Sequence, residues 1–124
     1  MQKYQAISYT RLSYTNDKDN ESNSIANQKA LIRDFVKRHS DIEIVSEKAD
    51  DGQTGILFDR PAFQEMMEEI REEKVNCIIV KDLSRFGRDY IQTGKYLRQI
   101  LPSLGVRFIA INDNIDTLKE IALV

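Results

Sequence analysis

The sequence predicts one α/β domain of three layers, a mostly parallel central sheet of four or five strands with helices on both faces. Three observations predict it. Apolar runs and helical-period segments alternate in the order β-α-β-α-β-α-β. The run "NCIIV" (76–80) is apolar almost throughout, as a strand covered on both faces must be. The length, 124 residues, suits a single hydrophobic core without an internal domain boundary.

The elements follow in order. Strands are expected at "YQAISY" (4–9), "IEIVS" (42–46), 76–80 and "VRFIAI" (106–111). The first helix is expected from about Ser24 to Lys37, where Leu31, Ile32, Phe35 and Val36 recur at helical spacing. Ser22, Asn23 or Ser24 supplies its cap. The second begins at "DRPAF" (59–63), with Asp59 as cap and Pro61 in the first turn. Phe63, Met66, Met67 and Ile70 then form one apolar stripe, so the methionines are core filling. The third covers Ile91 to Leu104, with Leu97, Ile100, Leu101 and Leu104 inward. Pro102 should kink or shorten its last turn, and Gly105 suits the position after the helix end. "TNDKDNESN" (15–23) is polar and turn-rich, a mobile loop by expectation.

Composition narrows the function. Hydrophobic content of 41% and charged content of 31% describe a globular chain. No apolar run approaches a membrane span, and "MQKYQAISY" has too short an apolar part for a secretory signal, so a cytoplasmic address is expected. Cys77 is the only cysteine and reads as a small buried hydrophobe without ligand neighbours at zinc spacing. Net charge is −2, which argues against this chain alone gripping DNA phosphates tightly and leaves open a local cationic site. No phosphate-binding glycine loop ending in Lys-Ser/Thr occurs.

Polar residues collect after the strands. Ligands of open α/β sheets bind at the carboxyl ends of the strands. After the first come Arg11 and Ser13. After the second come "ADDGQTG" and Arg60. After the third, "KDLSRFGRD" carries Lys81, Asp82, Ser84, Arg85 and Arg88, and "NDN" follows the fourth. Arginine's planar fork suits phosphate oxygens at any physiological pH. An arginine cluster around a serine reads as a phosphate pocket holding a nucleophile. The only histidine, His39, lies in "KRHSD" at the polar end of a helix, so positive charge must stand in for a histidine base. One stabilising donor of that kind is worth on the order of 3–4 kcal/mol in well-studied enzymes. The bland alternative is ordinary surface arginines paired with Asp50, Asp51, Asp82 and Asp89.

"YTRLS" (9–13), Gln28, "DDGQTG" (50–55), "DRPAF" and "VKDLSRFGRD" (80–89), in that order, resemble the catalytic domain of serine recombinases, the resolvase/invertase group. "KDLSRFGRDY" and "FIAIND" look most like the large members, the integrases and transposases of mobile elements. The resemblance spans about residues 4 to 117. It implies a resolvase-like fold in which Ser13 attacks a DNA phosphodiester, releases a 3′-hydroxyl and keeps the 5′-phosphate until religation. Arg11, Arg85 and Arg88 match arginines at the scissile phosphate, Arg60 another active-site arginine, and Gln28 a glutamine that orders the site. Lys81 joins them as a phosphate contact. The phosphoserine link conserves bond energy, so no cofactor or metal is implied.

Partners implied are double-stranded recombination sites and further copies of the protein, as dimer and tetramer, with no membrane and a bacterial, nucleoid-associated location. One position departs: Ser84 stands where small resolvases carry an aspartate, with Asp82 two residues away as possible support, so the leaving-group acid is left unassigned. Family members continue through a long helix. The expectation is therefore a catalytic domain at 1–117 and, at 118–124, the start of a truncated extension, with the isolated domain inactive. Two other readings compete. One is a non-catalytic remnant that pairs with a full-length recombinase and modulates it. The other is an α/β module binding a small phosphorylated ligand.

Overall fold

A computed structural model describes residues 3–12, 23–51, 60–87 and 89–121 of the chain. Among them five strands form one sheet: β1 (Tyr4–Arg11), β2 (Ile42–Asp50), β3 (Cys77–Val80), β4 (Arg107–Ala110) and β5 (Ile115–Asp116). The helices are α1 (Ile25–Lys37), α2 (Pro61–Arg71), α3 (Leu83–Phe86), α4 (Tyr90–Lys95), α5 (Leu101–Ser103) and α6 (Thr117–Ile121). The strand order is β2-β1-β3-β4-β5, parallel except for β5, which runs antiparallel to β4.

Strand alternation divides the core. Ile7, Tyr9, Ile78, Val80, Phe108 and Ala110 face α2 and α5 on one side, where Met66, Met67, Ile70 and Leu101 are buried. Ala6, Cys77, Ile79 and Ile109 face α1 on the other, where Ile32 is buried and Phe35 and Val36 pack beside it. This is the expected three-layer arrangement. Each fully buried apolar side chain of this size stabilises the fold by roughly 1.5–3 kcal/mol. Cys77 sits in that second layer, and burial pushes its thiol up to about 12, which keeps it protonated.

The strand ends differ from expectation in a way that matters for the site. β1 runs on to Arg11 and β2 to Asp50, because the two strands continue pairing past a register shift at Ala6/Ile7 until Arg11 meets Asp50. Arg11 and Asp50 are thus strand residues, not loop residues. β2 is an edge strand, so its outer positions stay polar and conceal the strand in a reading based on apolar runs.

The caps also differ. Ser24 accepts from the Asn27 N–H at 3.1 Å, as one of the candidate caps of α1. Asp59 lies outside the described residues. Arg60 occupies the N-cap position of α2 without a side-chain bond to a helix N–H, and the cap comes instead from Asp50 at the end of β2. Asp89 caps α4 through the Ile91 and Gln92 N–H groups.

The expected single helix to Leu104 is not continuous. α4 passes into a π-helical stretch, Tyr96–Ile100, before α5. Pro102 has no N–H to return to Arg98, and its ring crowds that carbonyl; the Leu101 N–H reaches back five residues to Tyr96. Leu104 is 42% exposed rather than inward. Gly105 has φ +72°, as its place after a helix end requires.

At the amino edge of the sheet, Arg107 donates to Asp116 at 2.7 Å and to Asp41 at 3.1 Å and lies over the Tyr4 ring. Burial works to raise the Asp116 pKa, but the Arg107 bond and charge hold it lower. This arginine ties the strands together at the edge opposite the polar loops.

Candidate active site

β1 leaves towards β2 on one side, and the chain then returns past β1 to β3 on the other. The carboxyl ends of β1 and β3 therefore flank the switch point of the sheet, where open α/β folds bind ligands. Arg11 ends β1. Lys81, Asp82 and the single turn α3 follow β3.

Arg11 and Arg85 are bound to each other's main chain. Arg11 Nε donates to the Arg85 carbonyl at 3.1 Å, and Arg11 Nη2 to the Ser84 carbonyl at 2.5 Å. In return Arg85 Nη1 donates to the Arg11 carbonyl at 2.8 Å. Both side chains are buried, with residue exposures of 8% and 7%. Asp82 Oδ1 lies 3.6 Å from Arg85 Nε and accepts from Ser84 Oγ at 2.5 Å. Carbonyl dipoles and the Asp82 carboxylate thus hold the two guanidinium groups close to each other.

Gln28 fixes the strand end from the opposite layer. Fully buried on α1, it accepts from the Arg11 N–H at 3.2 Å and donates to the Arg11 carbonyl at 2.9 Å. Its amide also donates to the Asn23 carbonyl at 2.7 Å, and Lys81 Nζ bonds Asn23 Oδ1. Lys81 therefore meets the site through the start of α1.

Arg60 enters from the third side. It donates to the Phe86 carbonyl at 2.5 Å and to Tyr9 Oη at 3.2 Å, and its guanidinium lies 4.1 Å from the centre of the Phe63 ring. Tyr9 Oη donates in turn to Asp50 Oδ2 at 2.7 Å. Burial, with a smaller contribution from Asp50, pushes the Tyr9 phenol well above its ordinary value against the opposing effect of Arg60. Tyr9 therefore remains a donor to Asp50. Asp50 also accepts from the Ala62 and Phe63 N–H groups at 2.9 and 3.1 Å.

Tyr9 and Asp50 were not assigned to the site from sequence. Tyr9 was visible only as the first letter of "YTRLS" and Asp50 only as a possible arginine partner. Asp50→Ala is expected to destabilise the fold by about 2–4 kcal/mol, because it removes the cap of α2 and leaves the buried Tyr9 hydroxyl without its acceptor. Urea unfolding measures this, and a loss below about 1 kcal/mol would contradict the capping role.

Of the expected residues, Arg11, Gln28, Asp82, Ser84 and Arg85 come together within one bonded set, Arg60 adjoins it through the Phe86 carbonyl, and Lys81 lies at its margin. Asp82 and Ser84 do not lie along an extended segment, because Ser84 is already in α3. Ser13 and Arg88 lie outside the described residues, as do Ser22 and nearly all of the loop 15–23. Among the described residues no group of His, Cys, Asp and Glu side chains is arranged to hold a metal ion, and no helix is long and apolar enough to cross a membrane.

The family model "Resolvase, N terminal domain" matches residues 6–123. The chain belongs to the resolvase family. This resolvase domain is similar to a resolvase family site-specific recombinase from Streptococcus pneumoniae, with 34% identity, 94% of this chain and 78% of that chain covered and a TM-score of 0.79. It shares its fold with the N-terminal catalytic domain of TP901-1 integrase, at 24% identity over 92% of this chain and 82% of that one, TM-score 0.79. The same fold recurs in the catalytic domain of ISC1926 TnpA, an IS607-like serine recombinase, at 15% identity over 86% and 69% of the two chains, TM-score 0.68. No curated protein matches the chain by sequence. The resolvase domain is thus a serine recombinase catalytic domain, and the non-catalytic remnant is not favoured.

Proposed function

We propose that the domain cleaves and rejoins DNA through Ser13. The serine hydroxyl attacks a phosphodiester; the bond from Oγ to phosphorus forms as the bond from phosphorus to the 3′-oxygen breaks. The hydroxyl proton leaves Ser13 as its bond to phosphorus forms, and the departing 3′-oxygen takes up a proton. Religation reverses both steps. The observation that carries this proposal is the reciprocal Arg11–Arg85 pair at the switch point, whose Arg11 stands two residues before Ser13 in the chain.

In it Arg11, Arg60, Arg85 and Arg88 stabilise the charge on the phosphoryl oxygens, and Lys81 contacts a flanking phosphate. Preorganised donors act best where they need no reorganisation, and Arg11 and Arg85 are already locked to carbonyls. Gln28 keeps the end of β1 in register, while Asp82 and Ser84 orient Arg85. Double-stranded recombination sites are the substrate, and strand exchange takes place between copies assembled as dimers and a tetramer. The protein works in the cytoplasm at the nucleoid.

Covalent trapping tests this. The chain is joined to a DNA-binding module with an oligomerising helix and incubated with nicked duplexes, and adducts are mapped by mass spectrometry. A 5′-phosphate on Ser13 is expected. No adduct despite confirmed folding and DNA binding, or an adduct on another residue, would refute the assignment.

A further inference from the structure

We propose that Asp113, in the turn after β4, is a positioning residue that holds the arginines of the site by capping α3. The inference rests on the reading of Arg11, Arg60 and Arg85 given above.

Its basis is the shape of α3. A helix of four residues has one turn and cannot sustain itself, since nucleation costs more than one turn returns. Yet three successive carbonyls of this turn orient the site. Those of Ser84 and Arg85 accept from Arg11, and that of Phe86 accepts from Arg60. Whatever fixes the turn fixes both arginines.

Its own N-cap residue does not. Asp82 occupies that position but makes no side-chain bond to a helix N–H, its carboxylate being engaged by Ser84 Oγ. The Leu83 N–H is met instead by Asp113 Oδ2 at 2.6 Å, thirty residues further along the chain. A carboxylate on a helix-start N–H is a charge-assisted bond, roughly twice as strong as a neutral one.

Asp113 is itself held. The Asn112 N–H donates to the Lys81 carbonyl at 2.8 Å and the Ile111 N–H to the Val80 carbonyl at 3.1 Å, so the turn continues the β3–β4 pairing. Asn114, at φ +60°, closes it in a left-handed conformation that asparagine tolerates. The Asp113 side chain is exposed and adds nothing to the core. Its removal should therefore loosen the α3 turn alone.

The test compares Asp113→Ala with Asp113→Asn in the full chain. Exchange of the Arg11 Hε proton with solvent is followed by NMR, and adduct yield by the trapping assay. In Asp113→Ala the Arg11 Hε exchange is expected to accelerate about tenfold or more, while amides of β1 and β3 keep their rates. Adduct yield should fall about tenfold to a hundredfold, the usual effect of a small misplacement. Asp113→Asn keeps an oxygen that accepts from Leu83, and should stay within about threefold of the unaltered protein in both. Unchanged Arg11 exchange in the alanine variant overturns the proposal. So does acceleration of every amide together, or failure of asparagine to rescue. If the unaltered chain forms no adduct, the cleavage reading fails, and the exchange comparison still decides whether Asp113 positions Arg11.

Discussion

Replacing Ser13 with alanine is expected to abolish the covalent DNA adduct, while DNA binding and the unfolding midpoint stay as they are. In the proposed mechanism the substitution deletes the atom that forms the new bond to phosphorus. No neighbouring histidine or P-loop offers a second route, since His39 stacks on Phe35 at the far end of α1 and its Nδ1 contacts the Phe35 carbonyl. Loss of a nucleophile in a well-studied hydrolase costs on the order of 10⁶ in kcat, and a comparable loss here places cleavage beyond detection. The measurement is adduct formation on nicked duplexes at equal occupancy of DNA. Persistence of an adduct in the alanine protein would assign the nucleophile elsewhere.

Arg11→Ala has the second largest effect, and it is a double one. A guanidinium that stabilises a phosphoryl transition state contributes on the order of 10²–10³ in rate, so cleavage should fall by at least that factor. The same change strips donors from the carbonyls of Ser84 and Arg85, both held by Arg11, at a cost of about 1–3 kcal/mol in stability. Arg11→Lys should rescue neither property fully. One ammonium cannot reproduce the planar fork that meets two successive carbonyls. Single-turnover cleavage and urea unfolding, measured on the same two variants, separate the effects. Near-normal cleavage in Arg11→Ala would remove the basis for a phosphate site at the switch point.

Much of the layout was legible in the chain. β3 declares itself by four consecutive buried residues, and α2 by its stripe of Phe63, Met66, Met67 and Ile70. Ser24 and Gly105 mark helix ends through chemistry local to those positions. Helix and strand periods need only neighbours along the chain, and those neighbours are written in it. The ordered motifs likewise identified the family and brought Arg11, Gln28, Arg60 and Arg85 into one candidate site.

What escaped has a common cause. Three of the last four residues of β2, Glu47, Lys48 and Asp50, are charged, and only pairing with β1 makes this stretch strand. α3 is too short to show a period, and it exists because Asp113, Arg11 and Arg60 meet its backbone from distant segments. Asp50 looked like a loop carboxylate until the sheet placed it under the start of α2.

The arginines draw the same line. Arg11, Arg85 and Arg107 are all buried, with nearly equal exposure, and composition treats them alike. Two of them meet at the carboxyl edge of the sheet and hold each other's carbonyls, whereas Arg107 is neutralised by Asp41 and Asp116 at the amino edge. Residue type and local pattern determine which elements form and which side chains are equipped for phosphate chemistry. Which of those side chains share a site is decided by strand order and register, because hydrogen bonds act over about 3 Å while the residues they join here lie up to 74 positions apart.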